Sequence, residues 1–397
     1  MADSRGARGP AADGPGALRE FSAQDVPAYL RTHPEDRYPR ELVRRLAELG
    51  VLGVTVPRAY GGGTLPEADA GRVGYELGRS WQSLAGLVGT HLKLCRLVLK
   101  HGTEQQRSEL LPAMARGRAV WARAYHERSV GDPTRMRTTA RTDAGPTKTG
   151  RADAARSGTG LTGTLTGRKD WVTNARHADR ILVLARSGDA TVGVLADPRR
   201  AGLRIGPELP RPGLWGVSLA EVDLREYPFD PDTEILGGPG HDLTPSLRTY
   251  GVAGYAARAA GSADAVYACA REAVAGGVGS RADRARGAIE LRLGELATRR
   301  ATIDAAYRAL SLPDPPMSPE QAKVVCTTVL QDLLRSAVQL CGGAGYAGPG
   351  PLGRHYRDAL ALTVIGVPND TLLSRIGALE ISDQFSGKIS PEISKEE

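Results

Sequence analysis

The spacing of hydrophobic residues changes twice along the chain, and this division limits the folds that it can adopt. Residues 21–120 repeat apolar positions at helical spacing, as Leu42, Leu46 and Leu49 do in PRELVRRLAELG. Residues 121–240 contain short alternating or β-branched segments separated by Gly, Asp and Pro. Residues 241–397 return to helical periodicity. We therefore predict an α+β, mostly α fold with an N-terminal helical domain, a β-barrel-like middle domain and a C-terminal four-helix bundle.

Seven segments of the middle region are candidate strands of a compact antiparallel barrel or sandwich. They read AVWARAYHE, TRMRTTARTD, GTLTGRKDWVT, RILVLARS, TVGVLAD, GLRIGPEL and SLAEVDLREYPF. Residues 144–160 are low in hydrophobicity and complexity, which predicts a mobile loop. Residues 1–20 lack the apolar core of a secretory signal, and we expect a disordered tail there. Further on, Thr103 and Gln106 form a capping-box pattern that predicts the start of a helix.

The composition argues against several classes of protein. The net charge is +7, but Arg is spread along the chain and aromatic residues make up only 5%, so a nucleic-acid interface is not expected. The same charge would attract a phosphate-bearing cofactor, coenzyme A or an acidic carrier protein. No run reaches the roughly 18 apolar residues of a membrane span. Four scattered cysteines without CxxC spacing predict neither a disulfide framework nor a metal site, and they fit a cytoplasmic protein.

Two short motifs are candidates for a binding site. In RKDWVTNARHAD, Trp171 could stack on a planar heterocycle and Thr173 could form a hydrogen bond with it. The alternative interpretation is a polar β-turn with one buried Trp. In QLCGGAGY, adjacent glycines at a helix end would let the backbone approach a phosphate. The alternative here is a Schellman-type helix cap followed by a turn.

The order of these segments resembles the acyl-CoA dehydrogenase family from about Tyr38 to Ile381. The stretches that carry the resemblance are LAELGVLGVTVPRAYGG, HLKLCRLVLKHGTEQQRSELLPAMARG, AYHERSVGDPTRMRTTA, GRKDWVTNARHADRILVLAR, SLAEVDLREYPFD, QLCGGAGY and RHYRDA. The resemblance implies a homodimer or homotetramer that binds FAD and oxidises an acyl thioester at its α and β carbons. In the family, a carboxylate removes the α-proton while the β-hydrogen leaves as hydride to the flavin.

The resemblance also assigns residues to the cofactor. Trp171 and Thr173 match the residues that pack on the isoalloxazine ring, and Tyr125 lies in the segment that faces the flavin. The backbone that meets the adenine-diphosphate half of FAD, usually across a subunit boundary, matches Gln339, Gly342 and Gly343. Asn369, in the family-like stretch PNDTLL, is the last residue predicted to bind FAD.

The chain departs from the family pattern where a base is needed. The family's catalytic Glu follows the Arg-Asp pair, and the matching position is Gly366, which cannot accept a proton. Some relatives place the base near the start of the first bundle helix, where this chain has Gly251 and Val252. His126 and His177 flank the flavin-facing segments, but an isolated His is more often structural. The catalytic residue therefore stays unassigned.

Two further motifs of the family differ here. The Arg and Phe-Gly residues that hold the FAD of the neighbouring subunit are replaced by GVGSR, in which Arg281 is out of register. VGDP, which begins at Val130, stands where the family has AGSD. The serine that helps to hold the acyl carrier is thus missing.

Three functions remain open. The first is a flavin-dependent oxidoreductase of bacterial specialised metabolism that acts on an acyl-CoA or an acyl carrier protein thioester. Its support is that ERSVGDPTRMRT and SLRTYG resemble the acyl-carrier-protein dehydrogenases of polyketide extender-unit pathways. The second is a flavin monooxygenase, which needs no α-proton abstraction. The third is a non-redox or flavin-free member of the fold, such as a cyclase, a dehydratase or a silent subunit.

Overall fold

The chain forms two compact units, residues 1–251 and 252–397. A computed structural model describes residues 14–63, 69–128, 130, 135–142, 162–247, 252–277, 285–347 and 350–386. The predicted loop at 144–160 lies outside these residues. The fold has the predicted class, with helices at both ends of the sequence and a curled sheet in the middle.

The first unit begins with helices whose buried apolar residues lie in two core clusters. They are α1 (Gly14–Glu20), a π-helical turn (Phe21–Asp25), α2 (Val26–Thr32), α3 (Arg40–Glu48), α4 (Asp69–Ser80), α5 (Gln82–His101) and α6 (Glu104–Ala115). The tail predicted for residues 1–20 is wrong for residues 14–20, and residues 1–13 lie outside the described part. Leu18 and Phe21 are buried in the helical core, and their apolar surface anchors this segment despite the small residues around it.

The middle of the chain folds into one seven-stranded sheet. Its strands are β1 (Trp121–Ala124), β2 (Thr139–Thr142), β3 (Gly163–Thr173), β4 (Arg180–Ser187), β5 (Ala190–Ala196), β6 (Leu203–Ile205) and β7 (Leu219–Phe229). Each one coincides with or overlaps a predicted strand segment. The order is β1-β4-β2-β3-β7-β6, and β5 pairs with β4. The expectation of purely antiparallel pairing is wrong, because β4 pairs in parallel with β1 and β2. Alternation within a strand shows which face is buried but not which strand lies beside it.

Gln106 on α6 connects the N-terminal helices to the sheet region. The predicted capping box is confirmed, because Gln106 N–H donates to Thr103 Oγ1 while Gln106 Oε1 accepts from Thr103 N–H. The same buried side chain donates to the carbonyl of Ile235 at 2.7 Å and accepts from the N–H of Gly237 at 2.9 Å. One amide therefore satisfies backbone groups of two distant segments.

The second unit is a helical bundle. Its helices are α9 (Ala253–Ala275), α10 (Ala285–Ala309), α11 (Pro319–Ala347), α12 (Pro351–Ala359) and α13 (Asn369–Ser386), after the short α7 (Pro231–Glu234) and α8 (Thr244–Leu247) of the first unit. The helix α11 is central and contacts α9, α10, α12 and α13. Its stretch Pro319–Gly343 has the length and hydropathy of a membrane span, and half of that stretch is buried inside the structure. Its central position accounts for its apolar composition.

We expect Gln106→Ala to lower the free energy of unfolding by about 1–3 kcal/mol, because it leaves the Gly237 N–H without its partner and removes one of the two donors to the buried Ile235 carbonyl. Urea denaturation followed by circular dichroism measures the change. Gln105 is the matched control, since it is exposed on the same helix and bonds only to Glu109 in the described contacts. Equal effects of Gln106→Ala and Gln105→Ala would contradict this role of Gln106.

Candidate functional site

A buried ion pair lies at the end of strand β3. Lys169 is fully buried, and its Nζ is 2.7 Å from Glu127 Oε1. The Glu127 carboxylate also accepts the backbone N–H groups of Arg137 at 2.6 Å and Thr138 at 3.0 Å. Burial alone would raise the pKa of Glu127, but the bonds from Lys169, Thr138 and Arg137 together hold it below its usual value. The pair thus joins the exit of β1, the entry of β2 and the end of β3.

A β-bulge directly after Lys169 turns Trp171 outward. The register of β3 against β7 shifts between Lys169 and Val172. Trp171 has a φ of 52° and is 46% exposed. Such left-handed backbone costs a non-glycine residue about 1–2 kcal/mol, so the surrounding contacts must hold it in place. The interpretation of this motif as a turn with a buried Trp is therefore wrong, and Trp171 offers an exposed ring.

Asp170 fixes the segment opposite the bulge. This buried carboxylate accepts the backbone N–H of Arg128 at 2.6 Å, and its own N–H donates to the carbonyl of His126 at 2.9 Å. The Arg128 guanidinium carbon lies 5.7 Å from the centre of the Trp171 ring, and its Nη2 is 3.3 Å from Glu221 Oε1. These contacts bring the segment that follows β1 next to Trp171. This cluster was not predicted from the sequence. Its one signal there was the adjacent charged pair of Lys169 and Asp170 within a strand in which apolar and polar residues alternate.

Tyr125 and His126 follow strand β1. The Tyr125 ring is partly buried, with the His126 ring edge-on at 4.7 Å and the Arg123 guanidinium carbon 5.1 Å from its centre. Burial lowers the pKa of His126 to about 4, so the imidazole is neutral at physiological pH. The backbone bond from Asp170 to His126 places the predicted residues Tyr125, Trp171 and Thr173 in one region of the first unit.

Asn174 follows this group in a left-handed turn with a φ of 65°. Its backbone N–H donates to the carbonyl of Ser218 at 2.7 Å. Its side chain is buried, and neither amide atom has a hydrogen-bond partner among the described residues. The amide nevertheless lies close to the Tyr38 hydroxyl. Burial raises the pKa of Tyr38 to about 12, and the amide acts to lower that pKa.

His177 belongs to a separate feature of the first unit. Its ring stacks on Tyr38 with 4.3 Å between the ring centres, and burial lowers its pKa. Both rings line a cleft of about 760 Å³, together with residues that include Glu208, Arg211 and Trp215. The stacking gives His177 a structural role.

Gln339, Gly342 and Gly343 lie within one turn of α11 in the second unit. Gly342 has a φ of 60° and a ψ of −144°, so the helix that begins at Pro319 ends there and a second, short helical segment runs on to Ala347. The expectation that these glycines lie at a helix end is confirmed. A Cβ added at Gly342 or Gly343 would meet no described atom within 4 Å. The backbone at this interruption is therefore open to a bulky group, and Gln339 beside it is exposed.

Asn369 is the first residue of α13 and contacts α11 far from these glycines. Its Nδ2 donates to Thr327 Oγ1 at 2.9 Å, while its buried Oδ1 has no hydrogen-bond partner among the described residues. Thr327 precedes Gly342 by 15 residues, which is about 22 Å along a helix. One protomer therefore does not bring Asn369 together with Gly342 and Gly343.

The turn before α13 contains Gly366, with a φ of 74°. A Cβ at this position would lie 2.5 Å from the hydroxyl oxygen of Tyr255 on α9. Lys323 is fully buried, and its Nζ donates to the carbonyls of Ile365, at 3.1 Å, and Val367. The same ammonium is 4.8 Å from the centre of the Tyr255 ring. Gly366 is thus required by its backbone conformation and by the tyrosine hydroxyl beside it.

Other predicted positions are not part of these groups. Val252 is buried just before α9, whereas Gly251, Arg281 and the stretch 131–134 lie outside the described residues. No cluster of three or more His, Cys, Asp or Glu side chains in the described ranges is arranged to hold a metal ion.

Two protein-family models match the sequence, one in its N-terminal part and one in its C-terminal part. The family model "Acyl-CoA dehydrogenase, N-terminal domain" matches residues 16–118, and "Acyl-CoA dehydrogenase, C-terminal domain" matches residues 247–379. Benzylmalonyl-CoA dehydrogenase of Aromatoleum aromaticum is 30% identical over 87% of this chain and 90% of its own. The mitochondrial short-chain specific acyl-CoA dehydrogenase of Bos taurus is 26% identical over 86% of this chain and 82% of its own.

Solved structures show the same fold. Butyryl-CoA dehydrogenase from Megasphaera elsdenii has a TM-score of 0.79 at 22% identity, with coverage of 93% of this chain and 97% of that one. An acyl-CoA dehydrogenase from Bacillus anthracis, complexed with FAD, has a TM-score of 0.78 at 23% identity. The match covers 94% of this chain and 67% of that one. A prolyl acyl carrier protein oxidase has a TM-score of 0.78 at 19% identity, and the match covers 92% of this chain and 97% of that one. This chain belongs to the acyl-CoA dehydrogenase family.

Proposed function

We propose that the protein is a FAD-dependent oxidoreductase that acts on an acyl thioester of coenzyme A or of an acyl carrier protein. The observation that carries the proposal is the exposed Trp171 ring on its bulge, held by the buried pair of Lys169 and Glu127. An outward aromatic ring in a strained backbone is costly unless something binds to it. FAD, when bound, supplies a two-electron acceptor.

The chain's own groups fit such a cofactor. Trp171 would stack on the ring system, and the Thr173 hydroxyl would form a hydrogen bond with it. In the second unit, the open backbone at Gly342 and Gly343 would receive a diphosphate, which the family resemblance assigns to the FAD of a neighbouring subunit. The unpaired Oδ1 of Asn369 offers one further acceptor. The net charge of +7 favours the approach of an anionic cofactor and carrier.

The finer assignment follows the family. We propose a cytoplasmic homodimer or homotetramer in bacterial specialised metabolism. A flavin monooxygenase on the same fold remains the second candidate, because Gly366 replaces the carboxylate that α-proton removal normally uses. A flavin-free member is the third.

One series of spectra separates these functions. The purified protein should show the visible absorption of bound oxidised flavin. Anaerobic titration with saturated acyl thioesters should then bleach that band without any nicotinamide. Bleaching by reduced nicotinamide only, followed by oxygen uptake, would favour the monooxygenase. A protein that stays colourless and takes up no added FAD would overturn the proposal.

Replacement of Trp171 by Ala should raise the dissociation constant for FAD about tenfold, because it removes the stacking surface, which is worth roughly 1–3 kcal/mol. Isothermal titration of apoprotein with FAD measures the constant. Trp215→Ala is the matched control, since Trp215 is another exposed Trp of the first unit and lines the separate cleft. If Trp171→Ala binds FAD as the control does, Trp171 does not hold the ring.

Gly343→Asp should weaken FAD binding at least tenfold, because a carboxylate would face the diphosphate across the open backbone. The unfolding midpoint of the apoprotein should change little, since an added Cβ meets no described atom within 4 Å. Gly377→Asp on α13 is the control, where the space is equally open. The same FAD affinity in both variants would place the diphosphate elsewhere.

A further inference from the structure

The hydroxyl of Tyr255 occupies the space that a side chain at position 366 would fill. The Tyr255 oxygen lies 2.5 Å from the Cβ position of Gly366, and two further ring atoms lie within 3 Å of that position. Position 366 is where the family has its base. We infer that Tyr255 is the proton-transferring residue of this protein, an inference that rests on the proposed acyl-thioester oxidation.

The tyrosine and the turn are held against each other. Lys323 donates to the carbonyls on both sides of Gly366, which fixes the turn, and its ammonium lies over the Tyr255 ring. Tyr255 itself is on the long helix α9 and is only partly buried. The pair therefore places an oxygen at a defined point beside the turn without a side chain at 366.

Two buried cations lie beside Tyr255. Lys323 is 4.8 Å and the Arg258 guanidinium carbon 5.5 Å from the centre of its ring. Both attract negative charge on the tyrosine oxygen, whereas partial burial of the ring opposes it. Asp358, of opposite charge, acts on Arg258. The proposed step uses the phenolate form of Tyr255.

The step balances with groups already named. The bond from the α-carbon to hydrogen breaks, and its proton moves to the Tyr255 oxygen. The electron pair of that bond forms the carbon–carbon double bond as the β-hydrogen leaves with its own electron pair, and FAD, when bound, would supply the two-electron acceptor for it. On the protein side the product is a neutral phenol, which returns its proton to solvent.

Exchange of the α-protons tests the role of Tyr255 apart from oxidation. The flavin-loaded protein is incubated with a saturated acyl thioester in D₂O, and deuterium at the α-carbon is followed by mass spectrometry. We expect exchange by the wild-type protein and a loss of at least about 100-fold in Tyr255→Phe, because general base catalysis contributes about 100- to 10,000-fold. Tyr356→Phe, on the exposed Tyr356 of α12, should exchange like the wild type.

The outcomes separate this inference from the proposed function. If thioesters bleach the wild-type flavin and Tyr255→Phe exchanges within threefold of wild type, only the inference is overturned. If the wild-type protein shows no exchange, the inference is overturned as well. If no flavin binds, the proposed function fails. FAD affinity of Tyr255→Phe should match the wild type, which excludes a general loss of structure.

A double-mutant cycle read by the unfolding midpoint of the apoprotein tests the contact between Tyr255 and position 366 without any turnover. Gly366→Ala should lower the unfolding midpoint through its strained φ and its clash with Tyr255. In the Tyr255→Ala background the same change should lower it less, because the clash is gone. The double variant Tyr255→Ala/Gly366→Glu should then restore α-proton exchange, because the glutamate introduced at position 366 supplies a carboxylate base. If Gly366→Ala lowered the unfolding midpoint equally in the wild-type and Tyr255→Ala backgrounds, the contact between Tyr255 and position 366 would be contradicted. If the double variant regained no exchange, the role of Tyr255 in proton transfer would be contradicted.

Discussion

The buried contact between Lys169 and Glu127 is the interaction on which the proposed flavin-facing part of the structure depends. A fully buried ammonium is unfavourable unless an anion compensates for its lost hydration, and Glu127 provides that anion. The N–H groups of Arg137 and Thr138 in turn donate to the Glu127 carboxylate and satisfy its remaining charge. Because the pair joins three segments, it fixes the bulge that follows Lys169. The outward position of Trp171 is a consequence of that bulge, so a charge pair inside the sheet determines which ring is available on its surface.

The second unit has a comparable relation between Gly366 and Tyr255. A family member with a side chain at position 366 could not keep Tyr255 where it is, and this chain could not gain one without moving the tyrosine. The glycine at 366 and the phenol beside it therefore depend on each other. Lys323 supports both, since it binds the backbone of the turn and lies over the ring. In the proposed role of Tyr255, this contact sets a proton acceptor beside a turn that has no side chain of its own.

Local features of the fold could be predicted from the sequence, and non-local contacts could not. The seven strand segments and the capping box at Thr103 depend on neighbouring residues, so their periodicity and spacing were sufficient. The parallel neighbours of β4 were missed because strand pairing joins distant segments. Lys169 and Glu127 are 42 residues apart, and Tyr255 lies more than 100 residues before Gly366. Only the folded chain shows that these pairs meet.

A crystal structure of the flavin-loaded protein with a bound saturated acyl thioester tests the central claim most directly. The account predicts that the Tyr255 oxygen lies about 3–3.5 Å from the α-carbon, the separation expected of reacting atoms. It also predicts that the turn at Gly366 keeps its conformation. A Tyr255 oxygen more than about 5 Å away, with a carboxylate or imidazole nearer to the α-carbon, would contradict the account.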